Sequence, residues 1–512
     1  MQRRIRPNSV NVDVPATELD DSAYSFVRNK YFKEQGSIRA EGYGDIFNAE
    51  LLDSPLFVMY DRNKNGEDFW IYCGAESANL TNLTTHWPIT PAGGMQISNV
   101  GDYCGTTLNS IFMLTNGKDA PWYWPGNTAS PLTTLPDWPA NSTCGFLRSF
   151  KYNAIAGDIT ENGVKYENQL YWSSSVAPGL PPQSWTPLPS NDAGDSILAQ
   201  TPGALIDGAQ IRDHFVIAKN HSLYLMAYTG GAFVFRFSSL SSTAGVMSRN
   251  CMTEHQGMLY LFSDGDILAT DGAQIRSIAS KRVRRTIFDE MDQTNIQQCF
   301  VTPYLAKDQI WFCYPTGGSA YANRAAIYTV TDDAWGFRDL PNLTHASAGI
   351  AYNYIYGTDW DNDEQSWNDD NTLWDQSGAQ AIADGVIMAS SDDEGHLYGV
   401  DFLGSANGVP INGVLEKSSM DLGDYDKIKL IQAVYPNILG EPGTQLKVRI
   451  GVQQQDTDSV TWSDVADYII GQTSRITCTE AGRLISIQIE GDSMNRWRCY
   501  SIEFEFAMSG RF

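Results

Sequence analysis

The side chains with the greatest chemical scope in this 512-residue chain form an acidic, tryptophan-rich segment between residues 359 and 375. Its indoles, Trp360, Trp367 and Trp374, recur at seven-residue spacing among seven carboxylates. Carboxylates could hold a cation, and the indole faces could contact a partner protein or stack on a sugar. The same composition is also typical of an acidic loop whose tryptophans pack onto their own domain. The segment is therefore a candidate partner platform, with these alternatives open.

A dense run of positive charge covers residues 281–285. It contains Lys281, Arg282, Arg284 and Arg285 in an otherwise acidic chain. Ammonium and guanidinium groups bind phosphates and carboxylates through charge-assisted hydrogen bonds. One interpretation is contact with DNA phosphates or with the acidic face of an adjacent subunit. The other is a solvated run that neutralises neighbouring carboxylates.

Two short motifs begin like known signatures. Residues 61–66 (Asp-Arg-Asn-Lys-Asn-Gly) open like a calcium loop, but position 12 is Tyr72, where such loops need a bidentate glutamate. Because Asn-Gly is also hairpin-turn chemistry, we predict a hairpin without a metal there. Residues 391–398 match the Asp-box found at hairpin turns of sialidase propellers, a fold element that carries no catalytic group.

The sequence lacks the motifs of the common enzyme classes. None of its six histidines lies in a paired metal motif, and it contains no GxSxG, Walker loop or strand-following GxGxxG. Carboxylate pairs are too abundant to single out the two that a glycosidase holds at a defined separation. We therefore predict a protein without enzymatic activity, metal or cofactor.

Composition favours a large acidic protein. The formal charge of −25 argues against a surface that grips nucleic acid. It is explained either by solubility or by a wall that repels a passing polyanion. Eight cysteines without metal-ligand spacing predict free thiols and cytoplasmic assembly. The basic start lacks the apolar core of a signal peptide, and no apolar run reaches transmembrane length.

Short strands must position these side chains. Between Asp308 and Leu340, two apolar runs and a third run opened by Trp335 are separated by Gly, Pro and Asp turns, the pattern of an antiparallel meander. Similar apolar cores recur, mostly at about the blade length of a propeller. They lie at residues 69–72, 170–172, 223–226, 259–262, 310–313 and 397–400. The long interval from 310 to 397 could hold an extra blade.

The pattern changes at both ends of the chain. Residues 1–50 have no repeat character, and we predict an extended segment with a short helix from about Asp20 to Lys30, capped by Asp21 or Ser22.

The rest of the chain divides in two. We assign residues 51–410 to a β-propeller with loop insertions. Residues 411–512 contain cleanly alternating runs such as Thr444–Val452, which predict strands with one buried face. The predicted fold is all-β: a β-propeller of six to eight blades with an additional C-terminal β-sandwich-like domain.

Segments spread along the whole chain carry a family resemblance, although residues 80–210 contribute little to it. They are Asn11–Pro15 with Ala23–Asn29; Val283–Phe288 with Gln309–Pro315, Ile327-Tyr328 and Trp335–Leu340; Trp360–Trp374; and the ending with Gly451, Trp462, Gly482, Arg483 and Gly510–Phe512. In this combination the chain resembles the propeller-bearing nozzle or hub proteins of short-tailed bacteriophages, the tail tubular protein B and packaged-DNA-stabilisation class.

The resemblance implies a virion tail component, assembled in the host cytoplasm into a homohexameric ring. Its partners would be a portal-adaptor protein above and tail fibre or tail-tip proteins. Such a ring continues the DNA channel, helps retain the packaged genome, and lets double-stranded DNA pass without reading its sequence. An acidic lumen would repel DNA over about 8 Å at physiological salt, which predicts a channel in which DNA slides.

Two other functions remain open at the level of sequence. The tryptophan-rich segment and the Asp-box also fit a carbohydrate-binding or carbohydrate-active β-propeller. A secreted or periplasmic scaffold is a third class, and the missing signal peptide counts against it.

Overall fold

The computed structural model describes residues 1–46, 50–230, 234–353, 380–391, 395–492 and 494–511. Within these residues, strands account for nearly all regular structure, as predicted. The helical elements described are the α-helix α1 (Arg284–Glu290) and 3₁₀ turns at Ala16–Glu18, Gln293–Gln298 and Leu305–Lys307.

Seven short strands are described before blade 1 in the sequence. They are β1 (Gln2–Ile5), β2 (Ser9–Val10), β3 (Ala23–Tyr24), β4 (Phe26–Arg28), β5 (Lys30–Lys33), β6 (Gly36–Arg39) and β7 (Tyr43–Asp45). The short helix predicted from Asp20 to Lys30 is wrong, because this stretch forms β3, β4 and the start of β5. Tyr24 and Val27 are fully buried, and β4 pairs with a strand near residue 415. Long-range burial and pairing therefore override the local capping signal.

Five four-stranded antiparallel sheets follow in order as blades 1 to 5. Blade 1 contains β8 (Phe57–Arg62), β9 (Asp68–Cys73), β10 (Ala78–Thr81) and β11 (His86–Pro88). Blade 2 contains β12 (Cys104–Leu108), β13 (Ile111–Thr115), β14 (Trp122–Tyr123) and β15 (Thr133–Thr134). Blade 3 contains β16 (Ser142–Phe150), β17 (Asn153–Glu161), β18 (Val164–Trp172) and β19 (Gly194–Ile197). Blade 4 contains β20 (Leu205–Ile211), β21 (His214–Lys219), β22 (Leu223–Tyr228) and β23 (Phe235–Ser241). Blade 5 contains β24 (Met252–His255), β25 (Met258–Ser263), β26 (Asp266–Thr270) and β27 (Ile275–Ser277).

Blades 6 and 7 share one long strand. Blade 6 contains β28 (Phe300–Tyr304), β29 (Gln309–Tyr314), β30 (Ala322–Thr329) and the first half of β31 (Ala334–Asn353). Blade 7 contains the second half of β31, β32 (Gln380–Ser390), β33 (His396–Val400) and, from the start of the chain, β7. In the part of the chain that the structure describes, the blades thus number seven, within the predicted range.

The first strands of successive blades lie side by side around an axis. β31 contacts β8, so the ring closes between blade 7 and blade 1, and blades 1 and 2 share a core that includes Phe57 and Phe112. The apolar cores predicted from the sequence mark six blades, but they fall on the second strand in blades 1, 5 and 6 and on the third strand in blades 3, 4 and 7. This alternation explains their uneven spacing. The described residues between 310 and 397 belong to blades 6 and 7, so they form no extra blade.

A β-sandwich follows the propeller. Its strands are β34 (Gly413–Met420), β35 (Lys427–Gly440), β36 (Gln445–Gln453), β37 (Thr461–Trp462), β38 (Ala466–Ile469), β39 (Ile476–Thr477), β40 (Ala481–Gly482), β41 (Leu484–Gly491) and β42 (Trp497–Arg511). One sheet has the order β37-β36-β41-β34-β4, and the other is centred on β35 and β42 and includes β1. Leu446, Val448 and Ile450 are buried between them, as the alternation predicted.

One hydrogen-bonded sheet runs from blade 6 of the propeller into the sandwich sheet that contains β35 and β42. The first half of β31 pairs with β5, β5 with β6, β6 with β42, and β42 with β35. Gly336 allows the first of these contacts, because a Cβ at that position would collide with the carbonyl oxygen of Lys30. Residues 1–46, the N-terminal segment, therefore contribute strands to both the propeller and the sandwich, the two bodies of the fold.

Candidate functional site

The basic run at residues 281–285, called the basic segment below, lies in the connection between blades 5 and 6. Residues 281–283 follow β27, and α1 then carries Arg284 and Arg285. Val283 and Ile287 are fully buried and anchor the segment on the core. Lys281, Arg284 and Arg285 are exposed. The sequence-predicted cations are thus brought together on the surface by two buried apolar anchors.

Three of the four cations have acidic neighbours. Arg282 donates to the carboxylate of Asp333 at 2.7 Å, and this hydrogen bond raises the pKa of Arg282. Arg284 lies 3.9 Å from Asp266 and Arg285 lies 3.2 Å from Asp289. Arg282 is thus closely paired with a carboxylate, Arg284 and Arg285 have a distant and an exposed pair, and Lys281 has no ion pair with a described residue.

The N-terminal segment holds the basic segment in place. The backbone N–H of Val12 donates to the carbonyl of Arg282 at 2.8 Å. Asp13 accepts hydrogen bonds from the backbone N–H groups of Arg285 and Thr286, at 3.0 and 3.3 Å. These contacts use a carboxylate to satisfy the first turn of α1.

An open cleft of about 460 Å³ adjoins the segment. It is lined by Asp13, Gly265, Ser280, Lys281, Arg284, Arg285 and Phe288. Three cations and one aromatic ring therefore face the same space, and Asp13 is the acidic member of the lining. Such an arrangement can bind carboxylates or phosphates.

A second polar cluster, the axial cluster, lies at the end of the propeller axis where the innermost strands begin. It consists of Arg148, Asp207 and Asn250. Arg148 of blade 3 forms a bidentate ion pair with Asp207 of blade 4, at 2.8 and 2.7 Å, and Asp207 is fully buried. Arg148 also donates to the carbonyl of Gly105 in blade 2 and to the side chain of Asn250 beside blade 5. Burial opposes the charge of Arg148, but the Asp207 carboxylate outweighs it and raises the pKa of the guanidinium.

Contacts across the ring close this end of the axis. Arg249, just before blade 5, donates to the carbonyl of Asp102, just before blade 2, at 2.9 Å, and Asn250 donates to the carbonyl of Tyr103 at 3.1 Å. Blades 2 and 5 are about half a turn apart in a ring of seven. Among the described residues, the propeller axis is therefore closed at the end where the inner strands begin.

His345 joins blades 1, 6 and 7 beside this closure. Its ring lies 4.5 Å from that of Phe57 and 5.4 Å from that of Phe300, and its Nδ1 is 2.9 Å from the carbonyl oxygen of Val58. Burial lowers the pKa of His345 to about 4. The imidazole is therefore neutral at pH 7 in the folded chain.

This neutral histidine predicts a loss of stability in acid. Between pH 6.5 and pH 4 the unfolded chain binds a proton at His345 that the folded chain does not, so the free energy of unfolding falls as the pH falls. We expect His345→Gln, which keeps a hydrogen-bond donor without titrating, to gain about 2 kcal/mol relative to wild type between pH 6.5 and 4.5. Urea titrations at each pH measure this difference, with the exposed His221→Gln as control. Parallel curves for wild type and His345→Gln would contradict the prediction.

The other predicted motifs are turns or lie outside the described residues. Residues 61–66 are the end of β8 and most of the turn into β9, in which the Asn63 side-chain oxygen accepts from the backbone N–H groups of Asn65 and Glu67. The Asp-box runs from the end of β32 into β33, which contains its residues 396–398, and its residues 392–394 are outside the described residues. The candidate platform of Trp360, Trp367 and Trp374 lies outside them as well.

The described residues contain no group of three or more His, Cys, Asp or Glu side chains arranged to hold a metal ion. All eight cysteines are described; each is a free thiol, and all but the half-buried Cys478 are buried. None of the described helices is long and apolar enough to cross a membrane.

The axial cluster was missed by sequence reasoning. Its signal was a lone arginine inside an apolar run, Gly145-Phe-Leu-Arg-Ser-Phe150. A charged side chain in a buried strand needs a buried partner. The sequence could have raised that question, but it could not name Asp207, which is 59 residues away.

The strand order defines the class: this chain is a β-propeller protein, with seven blades among the residues that the structure describes and a β-sandwich joined to blade 6. No protein-family model matches the chain, and no curated protein matches its sequence. Similar solved structures include the WD40 β-propeller domain of Doa1 (11% identity, 70% of this chain and 97% of that chain covered, TM-score 0.36). YCF48 bound to D1 peptide is also similar, with 10% identity, 69% of this chain and 95% of that chain covered, and a TM-score of 0.37. The extracellular domain of the putative hybrid two-component system BT4673 from B. thetaiotaomicron has 10% identity, with 90% of this chain and 59% of that chain covered and a TM-score of 0.39.

Proposed function

We propose that this β-propeller protein is a non-enzymatic structural subunit of a short bacteriophage tail, the nozzle or hub. Six copies form a ring that continues the DNA channel, helps retain the packaged genome and supports its ejection. The ring binds a portal-adaptor protein above and tail fibre or tail-tip proteins elsewhere. It is assembled in the host cytoplasm and resides in the virion tail.

The observation that carries the proposal is that four of the segments with the family resemblance contact one another near one junction, residues 11–15 with 283–288 and residues 23–29 with 335–340. Residues 11–15 hold the basic segment through the Val12 and Asp13 contacts. In the same region Arg28 pairs with Asp339 at 2.7 Å, and the N–H of Trp335 donates to Ser9 at 3.1 Å. Segments more than 300 residues apart in the sequence thus build one shared structural unit, as expected if they are retained together for a common architecture.

Two further features support this function. The closed propeller axis favours a DNA path between copies of the chain over a path through one copy. The formal charge of −25 per copy, repeated around a ring, favours a wall that DNA does not adhere to.

Imaging and a salt titration test the proposal. We expect negative-stain images of the purified chain, alone or with its adaptor, to show a six-fold ring with a central hole. We also expect the rings to bind duplex DNA weakly, with a shallow dependence of affinity on salt, because a protein with 6–10 phosphate contacts would lose about 10³–10⁵ in affinity between 50 and 200 mM salt.

Two results would contradict the proposal. Monomeric discs in both preparations would contradict the proposed ring. Tight DNA binding with a steep salt dependence would contradict the proposal that DNA does not adhere to the channel wall. Hydrolysis of a host polysaccharide by the purified chain would favour the carbohydrate-active alternative.

A further inference from the structure

We propose that the cleft lined by Lys281, Arg284 and Arg285 is the surface through which one copy of this chain binds the acidic surface of a second copy. The inference rests on the proposed ring and identifies a surface that holds its subunits together.

The cleft is preorganised. The Nε of Arg284 donates to the carbonyl of Gly265 at 2.7 Å. Lys281 has a left-handed backbone conformation, with φ of 59°, and the next residue is fixed from both sides: its N–H donates to Ala279, and its carbonyl accepts from Val12. Because the Arg284 side chain and the backbone that carries Lys281 are already positioned, binding a partner requires less additional ordering.

The cations are also available to a partner. Lys281 forms no ion pair with any described residue, and the contact of Arg284 with Asp266, at 3.9 Å, is at the limit of an ion pair. Arg285 and Asp289 are 81% and 68% exposed. A pair that exposed contributes about 0–1 kcal/mol, so Arg285 can exchange it for another carboxylate.

The chemistry of the cleft favours a protein surface over DNA. Asp13 lines the cleft, and Asp266 and Asp289 flank it, so closely spaced phosphates would meet these carboxylates as well as the cations. Phe288 adds an aromatic wall, and arginine with aromatic residues is the composition enriched at the centres of protein interfaces.

A second copy fits the cleft by charge. The chain carries 60 acidic residues against 35 basic ones, so a neighbouring copy offers an excess of carboxylates. A basic cleft on one copy that binds an acidic surface on the next makes a heterologous contact, and such contacts generate rings when the rotation closes.

Charge reversal tests the inference. We expect Lys281→Glu/Arg285→Glu to raise the concentration for half-assembly at least tenfold, measured by mass photometry or sedimentation velocity. The matched control is Lys64→Glu/Arg236→Glu, which makes the same change in net charge at two exposed cations elsewhere and should assemble like wild type. Equal melting temperatures show that both variants fold.

A crosslinking measurement identifies the partner without any variant. Copies labelled with ¹⁵N are mixed with unlabelled copies and treated with a carbodiimide, which joins amines to carboxylates. We expect a crosslink from Lys281 of one copy to an acidic residue of the other isotopic form.

The outcomes separate this inference from the proposed function. If wild type forms rings and the cleft variant assembles equally well, the inference is overturned and the proposed function stands. If wild type stays monomeric and gives no mixed-isotope crosslink, both fail. If the variant assembles normally but loses binding to a short DNA duplex, the cleft is a DNA contact and the inference is overturned.

Discussion

Replacing Arg148 with methionine is expected to lower the free energy of unfolding by about 3–5 kcal/mol, because it leaves the fully buried carboxylate of Asp207 without its cation. The substitution also removes the hydrogen bonds to Gly105 and Asn250 that link blades 2 to 5 around the axis. Chemical denaturation followed by tryptophan fluorescence measures the loss.

Two comparisons make this prediction specific. Arg4→Met removes an ion pair with Glu503 in which the arginine is 56% exposed, and it should cost less than about 1 kcal/mol. Adding Asp207→Asn to Arg148→Met should recover part of the loss, since the stranded charge is gone while the side-chain oxygen that accepts from Asn250 remains. If Arg148→Met costs no more than Arg4→Met, the axial cluster does not hold the blades together.

Removal of residues 1–46 is expected to abolish cooperative folding of the whole chain. The deletion takes β7 from blade 7, β4 and β1 from the two sandwich sheets, and β5 with β6 from between the two bodies. It also removes the buried side chains of Ile5, Val10, Tyr24, Val27 and Phe32. At about 1.5–3 kcal/mol for each buried side chain, the loss is comparable to the whole stability of a typical protein. Soluble yield and calorimetry measure the effect.

Two point variants provide a milder form of the same test. Phe32 is 1% exposed and Phe26 is 40% exposed on the same segment. Phe32→Ala should cost about 3–5 kcal/mol and Phe26→Ala less than about 1 kcal/mol. A truncated chain that melts at the wild-type temperature with an unchanged enthalpy would show that the N-terminal segment is dispensable.

Sequence patterns within short windows predicted the strands that pair with the next strand along the chain and the strands with one buried face. The meander between Asp308 and Leu340 was readable because each strand pairs with the next one along the chain, as β29, β30 and β31 do. The alternation in Thr444–Val452 was readable because one face of β36 is buried. The seven-blade count was not readable, since the apolar cores fall on different strands in different blades.

The N-terminal segment shows what local patterns miss. β1 pairs with residues 502–505 at the other end of the sequence, and β7 completes blade 7, whose other strands lie about 300 residues or more later. Nothing within a short window specifies such partners. The Asp21 capping signal was present, yet pairing of β4 with β34 and burial of Tyr24 determined the backbone.

The candidate site was predictable in part for the same reason. The composition of the basic segment was visible, whereas its partners Asp13, Asp333 and Gly265 come from three other parts of the chain. Only the fold shows which cations are neutralised and which face the cleft.

The sheet that runs from blade 6 into the sandwich has a mechanical consequence. Two bodies joined by a flexible linker rotate freely, but here a force on the sandwich passes directly through backbone hydrogen bonds into the propeller. The ladder narrows to one registered pair between β31 and β5, Phe337 with Lys30, and to two between β6 and β42. When hydrogen-bonded strands carry a force in series, the strand pair with the fewest hydrogen bonds separates first. The chain therefore transmits a small force without rotation of the two bodies, and a larger force separates β31 from β5 or β6 from β42.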